Sequence, residues 1–186
     1  MTKSIVISGP PAVGKTTVAK GLAEEFQLQY LSGGDVLKEM AKEQGFDSSG
    51  DDWWDTDDGL DFLNQREQNS EFDKKLDEKL TALYNQGGMV ITSYTLPWLI
   101  KGGIKIWLEG SHTSSTKRMQ SRDKMSSDDA YQITRQRFDK NKELYKKLYN
   151  FDFGDDTSVF DLIINTDNLT AQQVIDVAKE TVRKLL

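Results

Sequence analysis

The sequence has no cysteine and a single histidine, His112, and these two shortages remove several chemistries at once. Without thiols there is no disulfide, no thiolate metal site and no cysteine nucleophile, and the chain suits a reducing compartment, so a cytoplasmic location is expected. One imidazole cannot build a multi-histidine metal centre. A lone histidine is more often structural, and the place of His112 just after a strand pattern suggests the mouth of the next helix. No apolar run is long enough to span a bilayer, and the first residues lack the basic, apolar, small-residue order of a signal peptide. A net charge of −6 argues against a broad nucleic-acid surface. A phosphorylated ligand would therefore have to be met by a local cluster of cations. At 186 residues the chain can bury one sizeable core, and a single α/β domain is the default expectation.

What is present is an alternation of patterns. Strand signals fall at residues 4–8, weakly at 29–31, and at 89–92, 104–109 and 161–165. Helical spacing covers 15–26, 34–44, 71–85, 114–122, 127–149 and 170–186. This order predicts an α/β fold with a five-stranded parallel sheet and helices on both faces. Two segments break the rhythm: the acidic stretch 47–64, which carries Trp53 and Trp54, and the polar stretch 122–127. Each is a candidate cover over a site or an ordinary solvated connection.

Between the first strand and the first helix lie Gly9-Pro10-Pro11-Ala12-Val13-Gly14-Lys15-Thr16, followed by Thr17. This is the pattern of a phosphate-binding loop, and it stands where such a loop must stand. Gly9 and Gly14 let the backbone turn its N–H groups inward around phosphate oxygens, and the helix that follows presents its positive dipole end. Lys15 is placed to reach the β- and γ-phosphates of a nucleotide, and the Thr16 hydroxyl to hold Mg2+.

Phosphoryl transfer needs cations around the moving oxygens more than it needs covalent chemistry. Arg118, Arg122, Arg135 and Arg137 cluster around the polar break between the late helices, where a helical hairpin could close over phosphates. The alternative for each is a surface ion pair, with Asp123, Asp128 and Asp129 close in sequence. Asp73 and Asp77 lie one helical turn apart and read as a solvated face.

These features resemble the nucleoside monophosphate kinases, and among them the archaeal-type cytidylate kinases, over nearly the whole chain. The resemblance rests on the phosphate loop, on residues 32–38 (Ser-Gly-Gly-Asp-Val-Leu-Lys), and on residues 145–149 read through Asp152, Asp161, Asn165 and Thr166. It implies a P-loop kinase three-layer sandwich, with an acceptor-binding insertion over about 33–86 and a lid over about 118–137. It implies ATP as phosphoryl donor with Mg2+, a small nucleotide acceptor such as CMP, and a monomer that binds neither nucleic acid nor membrane. Ser32, Gly34, Asp35 and Lys38 match an acceptor-binding motif whose last position is an arginine in the family. Where such kinases carry Glu-Gly-Arg after the third strand, this chain has Thr92, Ser93 and Tyr94, while Trp98 matches the family tryptophan and is expected among the substrate-binding residues. Tyr94 would stack on or hydrogen-bond a base, Arg66 could replace the lost arginine, Asp73 could touch the acceptor, and Trp53 and Trp54 could stack or merely anchor their loop. The lost charges leave two other readings open: a different small acceptor, or a nucleotide-responsive binding module without catalysis.

Overall fold

The structure, a computed structural model, describes residues 3–48, 61, 62, 65 and 71–186. Twelve elements are described below. They are β1 (Ile5–Ser8), α1 (Lys15–Phe26), β2 (Gln29–Ser32), α2 (Gly33–Glu43), α3 (Glu71–Gln86), β3 (Met89–Thr92), α4 (Leu96–Leu99), β4 (Ile104–Glu109), α5 (His112–Asp123), α6 (Ser127–Tyr149), β5 (Leu162–Asn165) and α7 (Ala171–Leu185). The strands form one parallel sheet in the order β2-β3-β1-β4-β5, with Ile5 opposite Val90 on one side and Ile104 on the other. The α/β architecture expected from the sequence is present, with helices on both faces.

β1 is central, and all four of its residues are buried. Its side chains alternate between faces, as strand geometry requires. Ile5 and Ile7 join Ile104, Ile106 and Leu108 against Val18 and Leu22 of α1 and Val174, Ala178 and Val182 of α7. Val6 and Ile91 turn the other way, onto Val36 and Leu37 of α2, Leu76 and Leu80 of α3, and Leu96. Phe62 is fully buried in this second core, edge-on to Phe46 and Phe72. A third, aromatic cluster of Trp107, Tyr145, Phe151 and Phe153 packs the segment after α6 onto β4. Full burial of each aliphatic side chain contributes on the order of 1.5–3 kcal/mol, so the two-sided sheet is the main source of stability.

Element ends have local causes. α1 and α6 run over the residues that the helical spacing indicates. α5 begins two residues earlier than the pattern suggests, because the Ser111 hydroxyl accepts from Ser114 N–H and caps it there. His112 is thus the first helical residue, as expected. Its ring meets Tyr131 edge-on at 4.4 Å and its Nε2 lies 3.2 Å from the Tyr131 carbonyl, a structural tie between α5 and α6. Thr170, expected to open the last helix, instead caps it in a reciprocal box with Gln173. The four-residue α4 was not legible in the sequence; it starts with Pro97 in its first turn, where a missing N–H costs nothing. Trp53, Trp54 and Arg66 lie outside the described residues.

Candidate active site

In an open parallel sheet, ligands bind beyond the carboxyl ends of strands whose connections leave in opposite directions. β1 and β3 are such a pair: β1 leads to α1 on one face, and β3 leads to α4 on the other. A cleft of about 900 Å³ opens there, at the upper end of the range for small-molecule sites.

The loop after β1 forms its floor. Gly9 has φ +149°, and a Cβ there would run into the backbone carbonyl of Leu108, so both space and conformation demand glycine. Gly14 has φ +97° with open space around it; here the conformation alone is the constraint. Ala12 is also left-handed, at φ +57°. Gly14 caps α1 without any side-chain hydrogen bond, and no acidic residue occupies the first turn. The first amides of α1 and its dipole are therefore available to an anion. Pro11, Ala12, Val13, Gly14, Lys15, Thr16 and Thr17 all line the cleft. Pro10 contributes through its carbonyl: Lys15 Nζ donates to Gly9 O at 2.9 Å and Pro10 O at 2.5 Å. The same ammonium sits 4.7 Å from the centroid of the Tyr94 ring. Its pKa is lowered, chiefly by burial; Tyr94 opposes the shift, and the nearby charges of Arg137 and Arg122 add to it.

Across the cleft stand the basic residues of the α5–α6 hairpin. Arg118, Arg122 and Arg137 line it. Arg135 does not: it is exposed and pairs with Asp139 at 3.0 Å, one turn along α6. Residues two apart on a helix project about 200° apart, so Arg135 and Arg137 cannot both face the loop. Arg118 is anchored by Nη2 on the Thr166 carbonyl at 2.8 Å, while its buried Nη1 has no acceptor among the described residues. Arg122 holds Asp123 in a two-bonded fork, at 2.5 and 2.6 Å, the geometry with which a guanidinium grips a phosphate.

The third wall comes from α2. Ser32 caps this helix by accepting from Asp35 N–H at 2.9 Å, and Asp35 and Lys38, three residues apart, both reach the cleft. Gly34 is exposed on the first turn. Gly33 permits the close approach: a Cβ there would lie 3.2 Å from the Thr92 carbonyl. Tyr94 lines the cleft, but Trp98 does not. Trp98 is instead stacked on Phe151 at 4.3 Å and edge-on to Phe160, so its ring packs in the aromatic core and outside the cleft lining. The reading of Asp73 and Asp77 as a solvated face is also overturned, since they are 2% and 5% exposed. Asp77 accepts from Tyr149 OH at 2.6 Å and from Thr95 Oγ1. Burial and this carboxylate, with Asp73 adding charge, push the Tyr149 phenol far above its ordinary pKa.

The apolar part of the cleft lining has no signal in any single stretch of the sequence. Met119, Ile133, Leu169 and Val174 form it beside Thr166, giving an apolar slot of the kind a flat heterocycle fills. An indirect signal was the position of Asn165 and Thr166 at the carboxyl end of β5, on the ligand edge of the sheet. Among the described residues no group of three or more His, Asp or Glu side chains could hold a metal ion. A divalent cation would find the Thr16 hydroxyl at the mouth of α1 and oxygens brought by a ligand. Nor is any described helix long and apolar enough to cross a membrane.

A phosphate loop at the switch point of a 2-3-1-4-5 parallel sheet, faced by a lysine and arginines on a helical hairpin, defines a P-loop kinase. Comparison with known proteins narrows the class. The model of the cytidylate kinase-like family matches residues 4–168, and the chain belongs to that family. It is 31% identical to a cytidylate kinase of Methanocaldococcus jannaschii, covering 97% of this chain and 98% of that one. It is 30% identical to a cytidylate kinase of Staphylothermus marinus, covering 98% and 97%. Among solved structures it shares its fold with a shikimate kinase from Acinetobacter baumannii in complex with shikimate, at a TM-score of 0.61 and 18% identity over 100% and 95% of the chains.

Proposed function

We propose that this protein transfers the γ-phosphoryl group of ATP to the phosphate of CMP. The observation that carries the reading is the convergence of Lys15 from α1, Arg122 and Arg137 from the hairpin, and Lys38 from α2 on a single cleft. An acidic chain has gathered cations at a cleft where its backbone also offers the uncapped amino terminus of α1. The curated relatives quoted above are cytidylate kinases, which supports CMP as the acceptor.

In this reading the slot around Met119, Leu169 and Val174 takes the donor base, and Arg118 Nη1 turns toward it. The loop amides and Lys15 hold the β- and γ-phosphates. Thr16 would hold Mg2+, which when bound screens the charge of the β- and γ-oxygens. Its donor set fits that ion, because magnesium at nucleotides takes phosphate and water oxygens with one or two protein ligands. Lys38 positions the acceptor phosphate, one oxygen of which forms the new bond to the γ-phosphorus as the bond to the β-bridging oxygen breaks. ADP leaves with that electron pair. Arg122 exchanges Asp123 for the moving phosphoryl oxygens, and Arg137 neutralises the charge that builds on them. Residues 33–86 form the acceptor-side insertion and 118–137 the lid. The protein works as a cytoplasmic monomer on small nucleotides.

A second reading, with another small acceptor, has one observation in its favour: Thr92, Ser93 and Tyr94 supply neither the acid nor the guanidinium of the related kinases. A screen of CMP, UMP, dCMP and AMP with ATP and magnesium separates the two. Turnover with CMP that disappears in Lys15→Ala supports the first; ATP binding without turnover on any of the four supports the second.

A further inference from the structure

We infer that Tyr94 is a positioning residue of the donor site: its ring seats the Lys15 ammonium at the phosphate loop. The inference rests on the kinase reading above and assigns to Tyr94 a task different from contact with the acceptor base.

Three observations carry it. Lys15 Nζ spends two donors on Gly9 O and Pro10 O, and the Tyr94 ring lies on it at 4.7 Å. The ring quadrupole attracts a cation in that position, more strongly where water is partly excluded. The backbone of residue 94 is tied to the loop-bearing strand, since Ser8 Oγ donates to Tyr94 O at 3.2 Å and Ser93 N–H to Ile7 O at 3.1 Å. The ring is braced from behind by Phe153, edge-on at 5.6 Å, and by Tyr145 at 6.4 Å. A side chain so held is a fixed wall. Ser93 Oγ, accepting from Thr95 N–H and Leu96 N–H, fixes the turn that presents it.

The consequence is a division of labour. A guanidinium at position 94 would place a second cation against Lys15; an aromatic face there attracts it instead. Lys15 is held near the loop carbonyls until phosphate oxygens replace them, with no carboxylate among the described residues paired to it to compete with those oxygens. The acceptor is then left to the cations of α2 and the hairpin.

The test compares Tyr94→Phe, which keeps the ring, with Tyr94→Met, which keeps comparable volume without a π face. ATP affinity is measured by calorimetry, and kcat and both KM values by a coupled assay. Melting temperatures confirm that each variant is folded. Tyr94→Phe is expected to stay within about twofold of the parent, and Tyr94→Met to lose about three- to tenfold in ATP affinity, with KM for CMP within about twofold. Equal losses in both variants, or a change confined to KM for CMP, would overturn the inference. ATP binding is read without turnover, so the absence of transfer to CMP would sink the kinase reading and still leave Tyr94 tested. A parent protein that fails to bind ATP would sink both.

Discussion

Asp77 offers a quantitative test of how α3 is held to the rest of the molecule. It sits on α3, 5% exposed, and its two oxygens take Tyr149 OH from the last residue of α6 and Thr95 Oγ1 from the turn after β3. One carboxylate thus joins α3, the end of α6 and the turn that carries Tyr94. Hydrogen bonds to a charged group contribute about 1.5–3 kcal/mol each, and an orphaned buried hydroxyl costs about 1–3 kcal/mol. Removing the carboxylate also relieves its own desolvation, so Asp77→Ala should destabilise by about 3 kcal/mol, and Tyr149→Phe by about 1.5. The assay is urea unfolding of the parent, both single variants and the double variant, with ΔG taken from midpoints at a common slope. The two changes share one bond, so the double variant should fall short of the sum by about 1–2 kcal/mol. Additivity within about 0.5 kcal/mol would refute the bridge between Tyr149 and Asp77.

Three further outcomes follow from the geometry. Arg122→Ala and Arg137→Ala should each lower kcat/KM by roughly 100-fold, whereas Arg135→Ala, whose side chain pairs with Asp139, should stay within about twofold; steady-state kinetics of the three variants checks this. Gly9→Ala must fit a Cβ against the Leu108 carbonyl and should cost about 2–4 kcal/mol, while Gly14→Ala meets only a conformational penalty of about 1–2; thermal melts should rank them so. The Tyr149 pKa is raised by burial and by Asp77, so its contribution is fully present below the ordinary tyrosine value near 10 and is lost as pH rises through the higher folded value. Above pH ~10 the parent should therefore lose stability more steeply than Tyr149→Phe, by up to about 1.4 kcal/mol per pH unit in alkaline urea titrations.

The phosphate-loop half was legible because it is local. A β-branched strand, a glycine-bounded loop and an amphipathic helix are contiguous from Ile5 to Phe26, and periodicity alone places them. What escaped the sequence depends on contacts between distant residues. Trp98 looks like a ligand-facing aromatic until Phe151 and Phe160 are brought to it from beyond α6. Asp73 and Asp77 carry charge at a spacing that suits a solvated face, and it takes Tyr149 and Thr95, both distant in sequence, to give Asp77 a reason for its burial. Arg135 and Arg137 are indistinguishable as residue types; the turn of α6 separates them. The apolar slot at Leu169 and Val174 is assembled from separate elements, so no single stretch signals it.

The central claim is that one cleft binds ATP and an acceptor nucleotide and joins them through Lys15. It is tested most directly by following [γ-32P]ATP with CMP and magnesium and resolving the products. Labelled CDP should form in step with ADP, and Lys15→Ala should reduce the rate by at least about 100-fold while remaining folded. ADP formed without labelled CDP, or transfer that survives Lys15→Ala, would contradict the account.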